Sequence, residues 1–339
     1  MFKYLIAALL AAPSILAQAK VGTTGAQFLE LPPSVRAVGM GDAGITLTSD
    51  RAYYYNPGSL GLLDCPRIQI AGSPFPTEYP AGVDYYSMSI AGKLKKATTG
   101  SPLSLAFAYH LVWLNSGELV EQTYDGTGNT FSYKDYAHKV TASLAHVGGV
   151  EYGFGVTVAY ACKKENDRVI ADGVTYDYGM LVRVPLGRVF APGDSGTILN
   201  RCRIDVGFAV DNLGSALTYF DHRYTLPVER RSGIGVNIVF QPFTLYPVLQ
   251  LVHHTNSLTR THLGFEVEWK KAISARTGLI KDDNDRTTMG LTVKSGGLYE
   301  ALTGREWRLP LDLNISYAWV EGVMTGTPGM DFYGIELNL

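Results

Sequence analysis

The stretch Gly39-Met40-Gly41-Asp42-Ala43-Gly44 spells G-x-G-x-x-G, an arrangement in which free backbone N–H groups and a helix N-terminus can receive a pyrophosphate. That chemistry needs a strand before the glycines and a helix after them. Gly44 leads instead into Ile45-Thr46-Leu47-Thr48, then Ala52 to Tyr55 and the turn-forming Asn56-Pro57-Gly58. No long amphipathic helix is expected there, and no alternation of strands with helices occurs downstream. A nucleotide cofactor is not expected, and the glycines call for another explanation.

Other residues could bind metal. His253-His254 with His262 supply imidazoles, but adjacent histidines on a strand point to opposite faces and no carboxylate or thiol completes a set, so they read as a loop edge and not a metal site. Asp282-Asp283-Asn284-Asp285 resembles a calcium loop without the glycine or distal glutamate of an EF-hand, and reads as a solvated hairpin tip. Lys93, Lys95 and Lys96 read as a solvated cluster. Cys65, Cys162 and Cys202 match neither a zinc site nor a C-x-x-C motif and are expected to be free thiols. No G-x-S-x-G elbow is present. The expectation is a non-enzymatic chain with no catalytic residues, cofactor or metal.

The elements that carry these residues decide more. The 339 residues include 37 Gly, 21 Tyr and 13 Phe, with 46% hydrophobic and 18% charged residues and a formal net charge of -2. Near-neutral charge leaves no footprint for nucleic acid. Lys3, the apolar Leu5–Ala12 and the small-x-small Ala17-Gln18-Ala19 read as a secretory signal peptide over 1–19. Beyond it no apolar run of 18 or more residues occurs, so no transmembrane helix is expected.

From about residue 67 onward the period is two. Tyr152, Phe154, Val156, Val158 and Tyr160 alternate with glycine, threonine and alanine. Leu263, Phe265, Val267 and Trp269 alternate with Gly264, Glu266 and Glu268, and Leu313, Ile315, Tyr317 and Trp319 with Asn314, Ser316 and Ala318. One face meets an apolar medium and the other a polar one. Several strands reach the roughly nine to eleven residues that a tilted membrane strand needs. Tyr109, Trp113, Tyr152, Tyr160, Trp269, Tyr317 and Trp319 are placed near strand ends, as an interfacial girdle would be. Asp205, Asp211, Glu266, Glu268 and Arg276 fall on the polar, lumen-facing side.

The spacing predicts an all-β, transmembrane antiparallel barrel of about 14 strands over 67–339, near 67–73, 85–94, 103–114, 136–147, 152–163, 173–184, 203–211, 231–240, 243–253, 260–269, 273–280, 286–294, 311–319 and 331–339. The last strand, Tyr333 to Leu339, is expected to zip against the first. Connections 115–135 and 212–230 become long outer loops, while 148–151, 241–242 and 270–272 become tight periplasmic turns. The segments 185–202 and 295–310 are long for that side and are candidates to face a partner. Residues 20–66 do not alternate and are predicted to form a hatch in the periplasmic half of the lumen, with Gly39, Gly41 and Gly44 packing backbone against the wall.

Three groups of residues then carry a resemblance. Thr23 to Leu29, Arg36-Ala37-Val38-Gly39-Met40-Gly41-Asp42-Ala43, and Tyr55-Asn56-Pro57-Gly58-Ser59-Leu60 resemble the N-terminal signature of the PorV/PorQ family, within the FadL-like superfamily of outer-membrane barrels. Asn212-Leu213-Gly214 with Leu226-Pro227 and Arg231 to Val236 is similar to a later family segment, as are Glu266 and Arg276-Thr277-Gly278. The resemblance implies a bacterial outer-membrane protein whose partners are membrane lipid, secretion-system subunits, and type IX cargo carrying a C-terminal signal domain. FadL-like relatives imply the alternative of a channel for hydrophobic small molecules. Arg36, Gly39, Met40, Gly41, Asp42, Gly44, Asn56 and Pro57 would form the hatch motif, and Asn212, Leu213, Gly214, Leu226 and Pro227 a partner loop.

Overall fold

The computed structural model describes residues 24–49, 51–63, 66–74, 83–98, 101–120, 128–190, 198–219, 222–255, 258–282, 284–307, 309, 311–322 and 329–339. The expected leader 1–19, Cys65 and Asp283 lie outside the described residues.

The period-two segments form one closed wall: β1 (Arg67–Pro74), β2 (Asp84–Lys95), β3 (Leu103–Asn115), β4 (Tyr133–His146), β5 (Glu151–Glu165), β6 (Arg168–Pro185), β7 (Cys202–Gly214), β8 (Glu229–Phe240), β9 (Phe243–His254), β10 (Arg260–Trp269), β11 (Ile273–Lys281), β12 (Arg286–Lys294), β13 (Asp312–Val320) and β14 (Met330–Asn338). Neighbours in sequence are neighbours in space, all antiparallel, and β1 closes on β14 with Ile68 opposite Leu337 and Ile70 opposite Ile335. Closure leaves no unpaired edge. The fourteen expected strands are thus present and the last does zip to the first. No helix among the described residues is long and apolar enough to cross a membrane.

The alternation fixes what each face meets. On β5, Phe154, Val156, Val158 and Tyr160 are exposed on the outside, while Thr157, Ala159 and Ala161 are buried inside. On β13 and β14, Ile315, Tyr317, Tyr333 and Ile335 face out, and Asn314, Ala318, Phe332 and Glu336 face in. Such a cylinder, apolar outside and polar or small inside, suits a lipid surround. The aromatic residues are only partly a rim feature. Tyr109 and Tyr160 sit within strands, where each hydroxyl finds a polar neighbour, His138 Nδ1 at 2.7 Å and Asp172 at 3.1 Å.

Connections differ from the sequence reading in two ways. The β5–β6 hairpin runs farther than expected, because Asn166 and Asp167 take φ of 46° and 64° and close a two-residue turn, so β6 begins at Arg168 instead of 173. The 115–135 and 212–230 connections carry small ladders of their own, Leu119–Val120 with Thr130–Phe131 and Leu217–Tyr219 with His222–Tyr224. We call the end that bears these connections the loop rim, and the other, where the chain ends, the C-terminal rim. At the C-terminal rim the 185–202 and 295–310 segments include short helices at Leu186–Phe190 and Ser295–Thr303.

Outward placement yields a direct check. Val158, in the middle of β5, is 48% exposed on the outer face beside Val140 and Tyr176. Val158→Arg is expected to cost about 2–4 kcal/mol in a bilayer, measured by urea titration of barrel refolded into lipid vesicles.

Candidate functional site: the segment inside the barrel

Residues 24–63 lie inside the wall and are almost wholly buried. Their local structure is a set of single turns: Gln27–Glu30, Val35–Val38, Ala52–Tyr55 and Pro57–Leu62. Ser34 caps the second turn, its Oγ accepting from Ala37 N at 3.0 Å. Pro57 opens the fourth turn, where its missing N–H costs nothing. The turns stay short because Pro32, Pro33, Gly39, Gly41, Gly44 and Pro57 interrupt the segment.

The segment is not confined to the periplasmic half, contrary to the sequence reading. Thr24 pairs with Thr225 and Gly25 N donates to Thr225 O at 2.9 Å, both at the loop rim. At its other end Gly61 N donates to Ser143 Oγ at 3.0 Å and Ser104 Oγ donates to Gly61 O at 3.0 Å, near the C-terminal rim. The reason is length: some forty residues of single turns, descending from one rim, reach the other.

Glycines make the fit. Gly41 has φ +67°, and a Cβ there would lie 2.7 Å from Leu263 O. A Cβ on Gly39 would lie 2.9 Å from Gly290 Cα, and one on Gly58 2.6 Å from Gly153 O. The wall answers with glycines of its own. Gly264 and Gly278 face Met40 and Gly41, Gly153, Gly155 and Gly179 face Asn56 to Gly58, and Gly207 and Gly233 face Ile45. Backbone therefore rests on backbone at β5, β7 and β10 to β12, a separation only glycine permits. The wall glycines were visible in the alternating pattern as small inward residues, but their matching to the segment was not.

The G-x-G-x-x-G groups that could have met a phosphate are taken by the wall. Gly41 N donates to Thr288 Oγ1 at 2.8 Å, and Gly41 O lies 2.6 Å from His262 Nδ1. Gln250 spans the next peptides, its Oε1 accepting from Ile45 N at 2.9 Å and its Nε2 donating to Asp42 O at 3.2 Å. Asn56 is the second anchor: its Nδ2 donates to Ile45 O at 3.0 Å and Met180 O at 2.9 Å, while its Oδ1 accepts from Gly58 N at 3.0 Å. Met40 is fully buried against this lining. A Cβ on Gly44 would strike the Tyr55 ring, which closes the motif on itself.

Charge supplies the third fastening. Arg36 meets Glu266 through two parallel bonds, Nε to Oε2 at 2.9 Å and Nη2 to Oε1 at 2.7 Å. Arg276 also bonds Glu266 Oε2, and its Nη1 donates to Thr292 Oγ1 at 2.7 Å. Arg51, buried and never suggested by the sequence, donates from Nη1 to Pro33 O at 2.5 Å and from Nε to Ser89 Oγ at 3.3 Å. Tyr55 donates to Asp42 Oδ1 at 2.5 Å, and burial pushes the Asp42 carboxyl up to about 6 even though Arg231 and Tyr55 favour its charged form. The inward placement of Asp205, Asp211, Glu266, Glu268 and Arg276 is as the alternation required.

Below Arg36 a cavity of about 530 Å³ opens at the C-terminal rim, with Arg183, Arg203, Glu266, Glu268, Lys271 and Lys294 among its lining. Its walls are charged, unlike the apolar pockets that take hydrophobic ligands.

The candidate partner loop turns inward. Asn212, at φ 60°, donates from its backbone N to Asp177 Oδ1 at 2.7 Å and from Nδ2 to Pro227 O at 3.2 Å. Leu226 is 3% exposed and packs with Leu217 in the same apolar cluster as Ala26 and Phe28. Leu213 faces Tyr176 of β6 across the ladder, and Gly214 lies against Val174 and Leu226. Asn212, Leu226 and Pro227 are buried over the inner segment, while Gly214, Ser215, Thr218 and the tip His222–Thr225 stay exposed. Cys162 and Cys202 are free thiols. His253 and His254 do point apart, but His254 is a buried residue and not a loop edge: the fold brings Glu229 and Glu30 to it, at 2.9 Å and 3.8 Å from Nδ1. Partners so remote in sequence leave no trace in spacing. Asp282 of the supposed hairpin tip is held by Arg286 at 2.9 Å and Arg260 at 3.4 Å.

No protein-family profile matches this chain, and no curated protein does. Among solved structures it is similar to the Pseudomonas putida toluene transporter TodX, with 9% identity and a TM-score of 0.51 over 90% of this chain and 96% of that one. It is similar also to the deltaS2S3 mutant of the TodX monoaromatic hydrocarbon channel, at a TM-score of 0.54, 9% identity and coverage of 90% and 97%. At that identity the likeness is one of fold alone, which in this chain is a closed barrel of fourteen strands.

Two measurements check this geometry. Gly41→Val and Gly278→Val are each expected to cost about 1–3 kcal/mol from overpacking, whereas Gly92→Ala, whose Cβ would meet only Pro66 at 3.8 Å, leaves vesicle-refolding stability unchanged. Asp42 titrates higher in the folded chain, about 6 against an ordinary 3.8, so its contribution is fully present below pH 4 and is lost as pH rises through 6. Asp42→Asn, which keeps an acceptor for Tyr55, is expected to remove that part of the pH dependence, about 3 kcal/mol at most, in urea titrations at pH 4 and pH 7.

Proposed function

We propose that this chain is an outer-membrane β-barrel that serves type IX protein secretion as a non-enzymatic partner, binding or shuttling exported proteins that carry a C-terminal signal domain. The observation that carries this reading is the filled lumen. Residues 24–63 occupy it from rim to rim, fastened by glycine contacts, by Asn56 and Gln250, and by the Arg36–Glu266–Arg276 cluster. The space left at the C-terminal rim is lined by charge. An interior built in this way suits a rigid cylinder that presents its rims to proteins better than a conduit for apolar solutes. The resemblance of the Arg36 to Ala43 and Tyr55 to Leu60 stretches to the PorV/PorQ signature supports the same reading. So does the apolar outer face, which suits outer-membrane lipid.

A second reading rests on a different observation. An apolar cleft of about 660 Å³ lies on the wall at β8–β12, lined by Ile234, Pro247, Leu249, Leu263, Phe265 and Leu279 among others. It stands directly outside Gly264 and Gly278, whose inner sides carry Met40 and Gly41. With the fold shared with a toluene transporter, this favours a FadL-like channel for hydrophobic small molecules.

The readings separate in a mild-detergent pull-down of the tagged chain from its own membrane, analysed by mass spectrometry. The secretion reading expects exported proteins sharing one C-terminal domain, together with large secretion-system subunits. Recovery of the barrel with apolar small molecules and no such proteins would overturn it in favour of the channel.

A further inference from the structure

We propose that Glu30, Glu229 and His254 form a divalent transition-metal site that ties the start of the inner segment to the wall near the loop rim. The ligand atoms come from three places. Glu30 ends the first turn of the segment, Glu229 opens β8 and His254 closes β9. One carboxylate oxygen from each glutamate and an imidazole nitrogen lie within 4.8 Å of one another. His254 Nδ1 is 2.9 Å from Glu229 Oε1 and 3.8 Å from Glu30 Oε1. Metal–ligand distances of about 2.0–2.2 Å call for donors roughly 3–3.6 Å apart, so an ion needs only small side-chain rotations here.

A further observation points to a cation. The His254 side chain is 3% exposed, and although its Nδ1 lies 2.9 Å from Glu229 Oε1, neither ring nitrogen makes a hydrogen bond among the described residues. A buried imidazole with no hydrogen bond is costly, and ligation would answer it.

The surroundings suit ligation in detail. Arg231 occupies Glu229 Oε2 and is itself held by Asp211, which leaves Oε1 turned toward His254. Such outer partners orient a ligand and tune its metal. Glu30, 19% exposed, offers the way in. Two carboxylate oxygens with one imidazole fit Zn2+ or Mn2+ better than Ca2+, which takes six to eight oxygens. An ion bound there would latch the segment that starts at Thr24, and would do so whether the barrel serves proteins or solutes.

The test is calorimetric titration of ZnCl2, MnCl2 and CaCl2 into the chelator-treated full chain, folded in detergent as judged by heat-modifiable gel mobility. The expected result is saturable binding of one Zn2+ or Mn2+ per chain, weakened at least tenfold in Glu30→Gln and in His254→Ala, with no comparable Ca2+ binding. Absence of saturable Zn2+ and Mn2+ binding, or binding unchanged in Glu30→Gln, would overturn the proposal. Glu30→Gln decides the matter alone if His254→Ala does not fold, since Glu30 belongs to no strand of the wall and is partly exposed.

Discussion

The structure depends on backbone meeting backbone inside a closed cylinder. Fourteen strands enclose a lumen too wide for their own inward side chains to fill. This chain fills it with residues 24–63, and the wall gives up side chains where the two meet. Gly153, Gly179, Gly207, Gly264, Gly278 and Gly290 stand on six different strands, yet each faces the backbone or the anchor residue of the inner segment. Glycine weakens a strand by roughly 0.5–1 kcal/mol at each position. That cost is offset where close approach lets Gly41, Ile45 and Gly61 place their peptide groups on Thr288, Gln250 and Ser143.

Around this contact the charges set register more than they add stability. Glu266 lies between Arg36 and Arg276, and Arg231 between Glu229 and Asp211. Buried pairs of this kind gain little over apolar packing, because desolvation consumes most of the attraction, but a displaced partner leaves an uncompensated charge. They therefore penalise any placement of the segment other than the observed one. The connection over the loop rim acts in the same direction: Leu217 and Leu226 belong to the same buried apolar cluster as Ala26 and Phe28.

Much of this was legible in the sequence, and the reason is periodicity. A strand with lipid on one side and protein on the other must alternate, so Tyr152 to Tyr160 and Leu263 to Trp269 disclosed the wall and its inward face without any long-range information. The glycines of the Gly39 to Gly44 stretch could be separated from a phosphate loop because the required helix is missing after them. Contacts between residues far apart in sequence were not legible. Nothing in spacing links Glu30 to Glu229 and His254, Arg36 to Glu266, or Gly58 to Gly153, since these pairs exist only once the wall has closed around the segment. The extent of the hairpin at Asn166 and Asp167 was missed for a local reason, as both residues adopt the left-handed region without glycine.

Under the proposed function, a barrel with its lumen occupied in this way works through its rims and its surface, with the interior as a scaffold. The most direct measurement is uptake of a small apolar solute such as toluene by liposomes carrying the full native chain. The account predicts uptake no greater than that of protein-free liposomes. Saturable uptake by the native chain, abolished when it is unfolded, would contradict it and show that the inner segment yields a path.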